Sequence, residues 1–78
     1  MVAIAKKEKI SIDAETRELK GRLLLVNKNY DDAILEFEES YQLKPTYEKL
    51  RILSTVNFNL YRFAEADKYL RKTRPAQL

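Results

Sequence analysis

Two stretches of the chain align on each other at a shift of 33 residues, and no other feature of the sequence constrains the fold so strongly. Tyr30, Ala33 and Phe37 fall opposite Phe63, Ala66 and Leu70, and upstream Gly21, Leu23 and Leu24 fall opposite Ser54, Val56 and Asn57. A period in the thirties is the mark of a repeat array, in which one helix pair cannot bury its apolar face alone and a neighbour must cover it. Arrays of this kind mostly bind other proteins.

The composition narrows the chemistry. Seventy-eight residues make one small domain at most, and a single core of that size supplies only ~3–5 kcal/mol. The chain has no cysteine, hence no disulfide framework, thiolate metal site or cysteine nucleophile. It has no histidine, which removes the commonest general base and the commonest transition-metal ligand. No metal and no cofactor are expected. One glycine and two prolines in a chain that is 35% charged point to helices with short connections. The longest apolar run, Leu23 to Val26, cannot cross a bilayer, and the first ten residues lack a secretory signal, so no transmembrane segment is expected. The expected location is cytoplasmic, for the chain alone or as a soluble domain of a larger protein.

Residues 1–12 carry Lys6, Lys7 and Lys9 without a clear period and are expected to be a tail or the remnant of a preceding helix. Asp13 is the expected N-cap of a first helix over about 14–27, in which Leu19, Leu23 and Val26 recur at helical spacing. Asn29 is the expected cap of the second helix, about 30–43. Its Tyr30, Ala33, Ile34, Phe37 and Tyr41 form one stripe, acidic residues fill the rest, and Pro45 stops it. Thr46 can cap a third helix, about 47–59, with Leu50, Leu53, Val56 and Leu60 on one face. A fourth, about 62–74, carries Phe63, Ala66, Tyr69 and Leu70 and ends before Pro75. Connections of two to four residues make successive helices antiparallel, giving two helical hairpins over 14–46 and 47–78.

These spacings resemble the tetratricopeptide repeat (TPR) family. Gly21, Tyr30, Ala33, Phe37, Ser40 and Pro45 fall where that pattern has a small residue, a turn aromatic, an alanine, a large aromatic, a second small residue and a closing proline. Gly21, Ala33 and Ser40 are small where two helices approach closely, and Phe37 fills the volume beside them. In the second copy Leu50, Leu53, Ser54, Ala66 and Thr73 take packing places, with Phe63 and Leu70 as its bulky members. The resemblance covers about residues 14–73 and implies an all-α fold, two antiparallel helical hairpins stacked as a short TPR-like α-solenoid. There are departures. Arg17 and Lys20 stand where the family prefers large apolar residues, so either the first helix slips to turn Leu19 inward or its first turn is exposed. The repeat is one residue shorter than the family's usual length, which suggests a tightened turn at Pro45–Thr46.

The resemblance further implies a non-catalytic protein-interaction or assembly module whose concave face, lined by the first helix of each pair, holds a peptide or a single helix. Carried over by position, that face shows Glu18, Arg22, Leu25 and Val26 from the first copy and Arg51, Thr55, Phe58 and Asn59 from the second. The family's lysine–asparagine clamp for the carboxyl terminus of heat-shock chaperones is missing, since Glu18, Arg22 and Ile52 stand in its places. Phe63, Tyr69 and Leu70 form a candidate self-association end, where a next repeat would otherwise stack, so a homodimer is one expectation. A second helix rich in acid and a fourth rich in base also allow head-to-tail contact, although charge runs usually mean only a solvated face.

Other classes fit the residues less well. No glycine-rich phosphate loop exists and no nucleophile is paired with a base, so no enzyme is expected. Basic residues at both ends allow weak binding to nucleic acid or an anionic membrane. A net charge of +3 is low for such a surface, however, and the acidic second helix repels phosphate. An excised or engineered repeat fragment without a dedicated ligand is the remaining alternative.

Overall fold

A computed structural model describes residues 6–73. The chain divides into two compact units, Met1–Pro45 and Thr46–Leu78. The described residues form α1 (Lys6–Val26), α2 (Tyr30–Leu43), α3 (Tyr47–Asn59) and α4 (Phe63–Thr73). The fold is all-α: α1 packs on α2 and α3 on α4. Residues 1–5, Arg74 and Pro75 lie outside the described residues, so the tail and helix stop read at those positions are not located.

In the first unit the small residues set the helix spacing. A Cβ added to Gly21 would lie 2.8 Å and 2.9 Å from two ring carbons of Phe37, and Phe37 is itself only 1% exposed. Ala14 and Ala33 are fully buried. One turn along, the Ser40 hydroxyl donates to the Ala14 carbonyl at 2.6 Å, and Lys44 Nζ donates to Ser11 Oγ at 3.1 Å. The pairs Gly21–Phe37, Ala14–Ser40 and Ser11–Lys44 descend α1 as they climb α2, which is antiparallel packing.

That ladder corrects two expectations about the start of α1. The helix reaches back to Lys6, so Asp13 is an interior, exposed residue and not an N-cap, and residues 6–12 are not a tail. Ser11 and Ala14 are held against α2, and the turns before them continue the helix. The helix does not slip to bring Leu19 inward either: Leu19, Leu23 and Val26 are 66, 62 and 77% exposed. A large side chain facing α2 cannot replace Gly21 where Phe37 already fills the space.

In the second unit the Ser54 hydroxyl donates to the Ala66 carbonyl at 3.2 Å, binding α3 to α4 at another small-residue contact. Leu50, Leu53, Val56, Ala66 and Tyr69 are buried, and Asn57 Nδ2 is satisfied by the Leu53 carbonyl at 2.8 Å. Here too a sequence expectation is overturned. Tyr69 is 4% exposed and belongs to the core, whereas Phe63 and Leu70, read as the bulky packing residues of this copy, are 54 and 45% exposed. Lys68 and Lys72 lie over the Tyr69 ring, with their Nζ atoms 5.1 and 6.0 Å from its centroid.

The period of 33 reappears in the backbone. Asn29 N donates to Leu24 O at 2.8 Å and Lys28 N to Leu25 O at 3.0 Å; Arg62 N donates to Asn57 O at 2.8 Å and Tyr61 N to Phe58 O at 2.9 Å. Each set is a Schellman closure, in which the residue after the helix turns left-handed so that two orphan carbonyls are satisfied. Lys28 and Tyr61, one period apart, both have φ of 63°. The following helices start differently from one another. Thr46 caps α3 by accepting from Lys49 N at 3.3 Å, whereas Asn29 stands at the cap position of α2 without a side-chain capping bond. Tyr30, read as a packing residue, is 37% exposed, and Pro45 is exposed in the connection after α2.

Two outcomes test this account. Gly21→Leu is expected to lower stability by about 2–3 kcal/mol in urea unfolding, through overpacking against Phe37. Its combination with Phe37→Ala should cost clearly less than the sum of the two single changes; strict additivity would refute the contact. Lys28→Gly should raise stability by roughly 0.5–1 kcal/mol, because glycine takes the left-handed cap without a Cβ penalty.

Candidate functional site

The residues expected to line a binding face lie on the first helix of each unit, α1 and α3. On α1, Glu18 and Leu25 are half-buried, while Arg22 and Val26 are exposed. Glu18 accepts from Arg22 Nη2 at 2.9 Å and from Nε at 3.2 Å, so the two charges form an intrahelical pair one turn apart. On α3, Arg51, Thr55, Phe58 and Asn59 are all exposed.

At the corner between α3 and α4 the structure joins residues that the sequence assigned to two different surfaces. Phe58, from the expected binding face, and Phe63, from the expected self-association end, meet edge to face with ring centroids 5.2 Å apart. Tyr61, which sequence reasoning missed, adds a third ring 6.1 Å from Phe63. The three are 58, 54 and 81% exposed. The left-handed conformation of Tyr61 closes α3 and leaves its side chain out in solvent. The signal was present as three aromatics within six residues, but only the tight turn makes neighbours of them. Tyr69 leaves the proposed self-association end because it is buried; Leu70 remains exposed on α4.

Charged groups pair within each unit. Arg17 on α1 reaches Glu36 Oε1 at 3.2 Å and also pairs with Glu39, so two carboxylates of α2 converge on one guanidinium. An ion pair thus stands where a large apolar residue was expected from the family pattern. Asp13, Arg17, Lys20, Glu39 and Leu43 line a cleft of about 500 Å³ beside this group. On α4, Lys68 pairs with Glu65 at 2.9 Å and Arg71 with Asp67 at 2.7 Å, which draws part of its basic charge into local pairs. Among the described residues no group of three or more acids could hold a metal ion, and no helix is long and apolar enough to cross a membrane.

Comparison with protein families, with curated proteins and with solved structures gives no match. The aromatic corner offers ring faces and edges to a partner's apolar side chain at little cost in side-chain entropy. The Arg17 cluster is a structural strut between α1 and α2. Arg17→Ala is expected to cost under about 1 kcal/mol, as half-exposed pairs do, with the loss shrinking in molar salt when unfolding is followed by circular dichroism. A salt-independent loss would show that the aliphatic stem of Arg17, and not its charge, is what matters.

Proposed function

We propose that the chain is a TPR-like, non-catalytic protein-interaction module, and that its partner contacts centre on the aromatic corner of Phe58, Tyr61 and Phe63. The single observation that carries this reading is that cluster: three rings, each more than half exposed, that meet edge to face at one turn, whereas Phe37 and Tyr69 are buried. Contiguous exposed aromatic surface marks sites of protein contact, and aromatic anchors supply most of the energy at such sites. The repeat reading is supported by the two equivalent turns and by helix pairs that meet at small residues, as interaction repeats do.

The corner suits a peptide or a single helix that offers an apolar or aromatic side chain. Arg51 on the same helix is exposed and can meet a carboxylate of such a partner. The assembly role and the self-association role belong to one class, since both use exposed surface and no chemistry.

Selection from a displayed library of random peptides tests the assignment. Binders to the full chain are expected to lose about tenfold or more in affinity on Phe58→Ala and on Phe63→Ala, with helical content unchanged. Peptides that bind both variants as tightly as the unmodified chain would sink it.

A further inference from the structure

The first helix is apolar on two opposite sides. Ala14 and Gly21 turn one side to α2. Ile12, Leu19, Leu23 and Val26 make up the other and are 51, 66, 62 and 77% exposed. With Thr16 they follow steps of four, three, four and three residues, the spacing of a coiled-coil seam. The Thr16 hydroxyl donates to the Ile12 carbonyl at 2.9 Å, so burial at the seam would leave no donor unsatisfied and would present the methyl group. Among the described residues of the first unit, α2 packs on the opposite side of α1 and leaves this seam exposed.

We propose that the outer face of α1 pairs antiparallel with the same face of a second copy of this chain, about a two-fold axis midway between residues 17 and 18. The proposal deepens the assembly reading above and rests on it. In that register Ile12 packs against Leu23 of the second copy, Thr16 against Leu19, and Val26 against the aliphatic stem of Lys9. The flanking charges select the register. Glu15 falls opposite Arg22 and Asp13 opposite Lys20, each contact made twice by the symmetry, and no like charges meet. Sliding by one heptad in one direction sets Arg22 against Arg22 and Lys20 against Lys20. Sliding in the other sets Glu15 against Glu15 and Asp13 against Asp13. A parallel pair sets Glu8 against Asp13. Of the registers compared, only the antiparallel one at residues 17 and 18 makes every charge-to-charge flanking contact attractive. Arg22 can keep Glu18 while receiving Glu15, since a guanidinium carries five donors.

Sedimentation equilibrium of the full chain, from low micromolar to near-millimolar concentration, is expected to show a monomer–dimer equilibrium. Leu23→Glu, at an exposed position turned away from α2, is expected to weaken the dimer about tenfold or more with helical content unchanged. Glu15→Lys should weaken it and the added Arg22→Glu should restore it, whereas a parallel pair would be restored by Lys20→Glu instead. The chain has no cysteine, so an oxidised mixture of Lys9→Cys and Val26→Cys chains should cross-link more than either chain alone. A monomer at every concentration would overturn the pairing, as would a dimer indifferent to Leu23→Glu or faster cross-linking of Val26→Cys with itself. The selection of peptides at the aromatic corner is read separately from these measurements, so the two readings fail independently.

Discussion

A glycine set against a phenylalanine ring fixes the first helical pair, and most of what is distinctive in that unit follows from it. Because Gly21 has no side chain, the Phe37 ring can occupy the space a Cβ would take, less than 3 Å from the place of that atom. Helices that approach so closely bring Ser40 within hydrogen-bond reach of the Ala14 carbonyl and bury both residues completely. The same contact decides the rotation of α1 about its axis. Once Gly21 faces α2, Leu19, Leu23 and Val26 must face away.

This explains what could and could not be read from the sequence. The helical class and the division into two hairpins were legible because the apolar period, the short connections and the single glycine all agreed. The direction of α1 was not legible in the same way. Apolar residues recur at helical spacing on both of its sides, and periodicity reports that a face exists without reporting what covers it. Small residues, which contribute little to such a pattern, turned out to mark the packed side. The start of α1 was missed for a related reason. Asp13 is a good capping residue in isolation, but Ser11 and Ala14 are held by α2, and tertiary contact outweighs a local capping preference.

The second unit shows how equivalence at the level of the repeat can fail at single positions. Ala33 and Ala66 are both buried, as the shift of 33 requires. Phe37 and Leu70 are not equivalent in burial, and Tyr69 takes the interior volume instead. The two rings are set off by one position, so the residue that fills a core need not be the one that an alignment nominates. Of the candidate binding residues, those on α3 and Arg22 and Val26 on α1 are exposed, whereas Glu18 and Leu25 are half-buried. The grouping at the corner was not legible, because Phe58 and Phe63 meet only through a turn whose left-handed residue is a tyrosine.

That tyrosine has a consequence for how the protein can change. A left-handed cap favours glycine by roughly 1 kcal/mol, and at Lys28 nothing visible opposes that preference. At Tyr61 the residue that would relax the backbone is also the one that would remove the most exposed ring of the aromatic corner. If the corner is the contact surface proposed above, selection for a more robust fold and selection for recognition pull this one position in opposite directions. On that reading, drift toward glycine there would trace the loss of the proposed role in descendants of this chain, and persistence of an aromatic would trace its retention.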